Sequence, residues 1–220
     1  MPRAALLFAL ASMLGFAQDR QAPAKPAAIA MPADRTADSY SIYSSLMPLG
    51  ETADKGWPHD LWLVQDTTVT VVAPNEPCNP GPPPDHRVLG MNPHVAVHPT
   101  SNLQQDFVEI LEDFDLHCHD RLTLDRNAWT GLVPVHLLNG NEQETFRKSR
   151  FDGTPAPEFK GAPALYGFSE VYFNAKHTVA LVYATHWCGA LCGEGFWLGL
   201  TLQDGKWKRA QWLDSASWIS

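Results

Sequence analysis

From Phe168 to the C-terminus apolar residues recur at every second position, and a period of two admits little except antiparallel β-structure. Phe168 to Asn174, Thr178 to Trp187, Phe196 to Gln203 and Lys206 to Leu213 read as successive strands, with Ser217 to Ser220 extending the last. Asp204-Gly205 is the two-residue hairpin signal, because both positions must take positive φ, and Asn174 to Lys176 starts another turn. Trp187, Trp197, Trp207, Trp212 and Trp218 put a large ring on nearly every strand. A sugar-stacking platform is one use for them, but their strand positions favour sheet core and cross-strand pairs.

The preceding region follows helical spacing. Leu103, Phe107, Ile110, Leu111 and Phe114 form one stripe on a helix over Asn102 to Asp115, with Ser101 and Gln104 as a capping box. Asp106, Glu109, Glu112 and Asp113 fall off that stripe and read as a solvated face; sharing of a cation or proton between Glu109 and Asp113 is the alternative. Tyr40, Ile42, Tyr43, Leu46 and Met47 mark a short first helix, capped by Asp38 or Ser39 and stopped by Pro48. Asp60 to Val72 is an extended strand or one broken near Asp66, and the proline-rich run Pro74 to Pro84 is a surface loop. The expected fold is α+β: N-terminal helices packed on a C-terminal antiparallel β-meander, forming a single globular domain over 39–220. A chain of 220 residues has room for one such core.

Residues 1–17 read as a signal peptide, with Arg3 before an apolar run from Ala4 to Phe16 and small residues at Gly15 and Ala17. The run is too short for a membrane anchor, so no stable membrane insertion is expected after cleavage before Gln18. Residues 18–38, rich in Ala and Pro, read as a disordered linker. A net charge of -8 argues against nucleic-acid binding. The predicted location is therefore periplasmic or secreted.

Four cysteines in an exported chain favour disulfides. Cys188 and Cys192 flank a glycine-containing tip between two strands and are expected to pair, leaving Cys78 for Cys118. A redox role for C-x3-C is disfavoured, since such pairs use C-x-x-C at a helix N-terminus. His94 and His98 precede the amphipathic helix and His117 and His119 follow it. In extended backbone each pair would share a face and could present two imidazoles to a cation such as zinc, with Asp120 or Asp85 as a further ligand. Intact helix length keeps the two pairs roughly 20 Å apart, and no complete ligand motif is present. No cofactor is predicted beyond that possible zinc. Ser169 in GFSEV lacks the second glycine of a nucleophile elbow, and Glu194, between glycines, reads as a turn residue rather than a catalytic partner for Glu170.

The succession FSEVYFN, TVALVY, CGALCGEG, DGKWK and WIS resembles a family of uncharacterised exported bacterial proteins; YSIYSSLMP, LVQDTT and VEILEDFD extend the likeness more loosely. That resemblance implies bacterial origin and export and carries no catalytic residues. The FWLGLTLQDGKWK hairpin is also similar to the closing strands of the NTF2-like cone fold. No candidate catalytic set meets its spacing requirement, so the leading expectation is a noncatalytic exported binding or envelope-interaction domain. The alternatives are a metal-dependent envelope hydrolase using the His pairs and an NTF2-like small-molecule pocket.

Overall fold

The computed structural model describes residues 27–47, 61–81, 91–131, 134–152, 156–210, 213–215 and 217–219. The expected leader at 1–17 and Asp85 lie outside them. In chain order the described elements begin with β1 (Ile29–Ala30), α1 (Ala33–Leu46), β2 (Trp62–Gln65), α2 (Pro93–Ala96), β3 (Val97–Pro99), α3 (Gln104–His117), β4 (Leu122–Thr123), β5 (Val135–Leu138) and α4 (Gly140–Phe151). They continue with β6 (Leu165–Phe168), β7 (Tyr172–Phe173), β8 (Val179–Gly189), β9 (Cys192–Gln203), β10 (Lys206–Arg209), β11 (Leu213–Ser215) and β12 (Ser217–Ile219).

The chain is α+β. Its main sheet runs β10-β9-β8-β6-β2-β5, with β7 also on β8 and β12 also on β9. The C-terminal strands pair antiparallel, and at the Asp204-Gly205 turn φ is +52° and +72°, the left-handed geometry expected of that dipeptide. The sheet does not end there, because β2 pairs parallel with both β5 and β6. β2 stops at Gln65, so the expected break near Asp66 is present.

Alternation along β8 decides what each face carries. Ala180, Val182 and Ala184 join Ile42 and Tyr43 of α1, whereas Val179, Leu181 and Tyr183 join Phe107, Ile110 and Phe114 of α3. The two helices therefore cover opposite faces. Near the parallel edge, Phe146 of α4 packs with Leu63, Leu138, Phe159 and Leu165. Each fully buried aliphatic or aromatic side chain contributes about 1.5–3 kcal/mol.

Several sequence expectations are corrected. The linker reading of 18–38 fails over its described part: β1 pairs with β4, and α1 begins at Ala33, several residues before the expected cap. The segment carries few large apolar residues, yet Arg35 is buried there by ion pairs to Asp113 and Glu170 and by lying over the Phe173 ring. The final strand expected over Lys206 to Leu213 ends at Arg209; Leu213 belongs to β11, which pairs with β3 in a separate ribbon. Ser217–Ile219 returns to pair with β9. The strand expected over Phe168 to Asn174 is interrupted. Phe168 sits opposite Ala184 and Tyr172 opposite Leu181, so four steps along β6–β7 match three along β8, which is a bulge. Ser169 repairs the ladder: its hydroxyl accepts from the Tyr183 N–H at 2.9 Å and donates to the Glu170 carbonyl at 2.6 Å.

Cys78 and Cys118 lie at disulfide distance with Cα atoms 5.8 Å apart, as do Cys188 and Cys192 at 5.1 Å. The first pair fastens the proline-rich loop to the end of α3; Cys118 is buried. The second closes the β8–β9 tip, which is exposed.

Candidate functional site

Two places combine chemistry with space. The first is a pocket of about 420 Å³ beyond the C-terminal end of β2. Gln65 ends that strand, Val69 and Val71 follow it, and Tyr183, Thr185 and Trp187 of β8 form the facing wall. Crevices beyond the carboxyl ends of parallel strands are common ligand positions, because the chain leaves the sheet there and exposes its inner residues. Gly167 is a structural requirement of this wall. A Cβ there would lie 2.8 Å from both Gln65 Nε2 and Thr185 Oγ1 and 3.1 Å from a Val69 methyl.

Arg147 reaches the pocket from α4, which Asn139 and Glu142 start with reciprocal side-chain-to-backbone bonds. It is half-buried and makes no hydrogen bond or ion pair with any described residue. A guanidinium so placed is a ready partner for a carboxylate or phosphate. On the other face a smaller pocket of about 250 Å³ is lined by Met47, Tyr166, Phe196, Leu198 and Arg209. Arg209 is engaged there, donating to the Leu46 carbonyl at 3.4 Å. Burial pushes the Tyr166 phenol up to about 12, so it stays neutral.

The second place is a charged cluster created by the bulge. Arg35 of α1 forms a bidentate pair with Asp113 of α3 at 2.9 and 2.7 Å, and also donates to the Val171 carbonyl at 2.5 Å. Asp113 accepts from the Phe173 N–H at 2.8 Å. The bulge turns Glu170 into the interior, where it is 2% exposed. Neither of its oxygens accepts a hydrogen bond, and its nearest cation is Arg35 Nε at 3.2 Å. Desolvation pushes its carboxyl up to about 7, against the attraction of Arg35 and His117.

The off-stripe acids of α3 are thus not simply a solvated face. Asp113 holds Arg35, Asp106 accepts from the Asn174 amide at 2.8 Å, and Glu109 accepts from the Ala175 N–H at 3.0 Å. They dock the helix onto the β7 turn.

The histidine pairs do not form the expected faces. Asn92 caps a helical turn through the His94 N–H, with Pro93 at its start, so His94 is helical while His98 lies exposed on β3. His94 Nε2 is 2.7 Å from Asp115. His117 ends α3 and His119 sits in the turn after it, so that pair is not extended either. His117 Nδ1 is 2.9 Å from Asp120, and one ligand atom from each of His117, Asp120 and Glu170 lies within 4.8 Å of the others. His119 instead lies beside Cys78 and Cys118, whose bonded sulfurs offer no thiolate to a metal.

Trp187, Trp197 and Trp207 serve the core, while the side chains of Trp212 and Trp218 lie outside the described residues. Trp197 donates to the Met91 carbonyl at 2.7 Å, Trp207 reaches Asp38 at 3.3 Å, and Trp187 packs on Phe146. Glu194 lies within β9, opposite His186, rather than in a turn. Ser169 is fully buried in the bulge and adopts no exposed elbow.

Arg35, Arg147 and Gly167 are the residues sequence reasoning missed. The N-x-x-E run at Asn139–Glu142 was a usable signal for α4 and hence for Arg147; no local pattern points to Arg35 or Gly167. The chain matches no protein-family model, no curated protein and no solved structure.

Proposed function

We propose that this chain is an exported, noncatalytic binding domain whose ligand is a small molecule with an apolar body and an acidic head. The observation that carries the reading is the half-buried, uncommitted Arg147 in a pocket whose apolar wall is Val69, Val71, Leu165, Tyr183 and Trp187, with Gln65, Thr185 and His186 among its other polar lining. Apolar walls supply affinity through burial, and one convergent cation orients the ligand. The pocket volume suits a medium-sized ligand. Export is part of the proposal, supported by the leader pattern of residues 1–17 and by two cysteine pairs at disulfide distance. No residue of the β9–β10 hairpin lines this pocket, so the NTF2-like likeness of that hairpin plays no part in it.

The test is calorimetric titration of the full chain with linear carboxylates from hexanoate to dodecanoate and with the matching alcohols. The reading expects affinity to rise with chain length. It also expects Arg147→Ala to weaken the acids by about tenfold or more while leaving the alcohols nearly unchanged. Thr185→Phe, which fills the pocket, should abolish both. Binding that ignores Arg147→Ala and Thr185→Phe, or the absence of binding across the series, overturns it.

A further inference from the structure

A different part of the molecule carries a separate chemistry. We infer that His117, Asp120 and Glu170 form a divalent-cation site of the zinc or manganese class.

The residues come from three places that only the fold unites: the last turn of α3, the segment following it, and the bulge between β6 and β7. One ligand atom from each lies within 4.8 Å of the other two. Ligand atoms bound tetrahedrally to one ion at about 2.0–2.2 Å lie about 3.3–3.6 Å apart, so the three side chains would close by up to about 1.5 Å on binding. Proximity of acids alone would mean little. Glu170 supplies the independent observation: at 2% exposure it accepts no hydrogen bond at either oxygen. Buried carboxylates are normally satisfied, because leaving one unpaired forfeits its solvation.

Arg35 does not meet that need. Its two terminal nitrogens are committed to both oxygens of Asp113 and to the Val171 carbonyl, and only Nε faces Glu170, at 3.2 Å without hydrogen-bond geometry. Charge accounting points the same way. Arg35 is shared by Asp113 and Glu170, and Asp120 adds a third carboxyl beside them, an acidic excess that a doubly charged ion would balance. Asp113 has a second use. His117 Nδ1 faces Asp120 at 2.9 Å, while its Nε2 lies 3.7 Å from Asp113, where a carboxylate can orient the ring of a metal-bound histidine.

Access is open from one side, since the side chains of His117 and Asp120 are 30% and 38% exposed while Glu170 forms the floor. One imidazole and two carboxylates suit zinc or manganese better than thiolate-seeking metals, and three protein ligands leave positions for water.

The experiment is equilibrium titration of the chelator-treated full chain with zinc and with manganese alone, read by calorimetry and by metal content after dialysis. One equivalent should bind. His117→Ala, Asp120→Asn and Glu170→Gln should each weaken binding by about tenfold or more, and His94→Ala should not. Asp120 is partly exposed, so its variant keeps the test decisive if Glu170→Gln fails to fold. X-ray absorption of the zinc form should show nitrogen and oxygen ligands without sulfur. Failure of either metal to bind stoichiometrically overturns the site, as does binding unaffected by Asp120→Asn or lost in His94→Ala. The carboxylate pocket is tested separately, because Arg147→Ala should leave metal binding unchanged and Asp120→Asn should leave decanoate binding unchanged.

Discussion

The antiparallel strands from β8 onward and the parallel strands β2, β5 and β6 belong to one sheet but are built in different ways. β8 and β9 pair over most of their lengths across a two-residue tip, so each strand finds its partner next to it in the chain. β2 is four residues long, and its partners lie some seventy and a hundred residues further on. Local pairing makes the first region self-specifying. The second depends on the closure of long loops, and its edge is held by the packing of α4. Functional geometry collects where the two meet. The pocket opens at the end of β2 against β8, and the bulge that buries Glu170 lies between β6 and β7 on the same β8 strand.

The largest expected effects test whether the two regions fold as one unit. Phe114→Ala removes a buried ring from α3 that contacts Tyr172, and Phe146→Ala removes one from α4 that contacts Phe159. Each should cost about 3–5 kcal/mol in a single urea transition with unchanged m. A separate early transition in the Phe146 variant would split the sheet into two units.

The disulfides give the next contrast. Loop entropy assigns about 3–4 kcal/mol to the Cys78–Cys118 bridge, which spans 40 residues, and about 2 kcal/mol or less to Cys188–Cys192, which spans 4. Paired Cys→Ser replacements measured by denaturant titration should rank in that order, and the reverse ranking would show that the β8–β9 tip is the more demanding closure.

Glu170 adds a pH dependence. Its folded pKa is about 7 against an ordinary value of 4.5, so between these the folded state holds a proton that the unfolded state has released. Stability of metal-free protein should therefore fall as pH rises through that window, by up to about 1.4 kcal/mol per unit, and level off above it. Glu170→Gln should flatten the slope and be more stable than the parent at pH 8. An unchanged slope would mean that the carboxylate is solvated.

The same contrast explains what was legible in the residues. Period-two alternation and Asp204-Gly205 identify the C-terminal strands because hairpins are local, and the stripe from Phe107 to Phe114 identifies α3. β5 is not legible in the residues, since Val135-His136-Leu137-Leu138 is too short to show a period and its partner is distant. The bulge was hidden for another reason. One extra residue inverts the alternation after Phe168, bringing Val171 and Phe173 onto the α1 face and sending Glu170 inside. His117 and Asp120 were recognisable as possible metal ligands from residue type and spacing. Their third partner was not, because only tertiary structure brings Glu170 to them.

The central claim concerns where a ligand sits, and methyl-resolved NMR during decanoate titration tests it most directly. The account predicts saturable shifts at Val69, Val71 and Leu165, weakened in Arg147→Ala, with Leu46 and Leu198 on the opposite face unaffected. Shifts confined to Leu46 and Leu198, or none at any of these methyls, would contradict it.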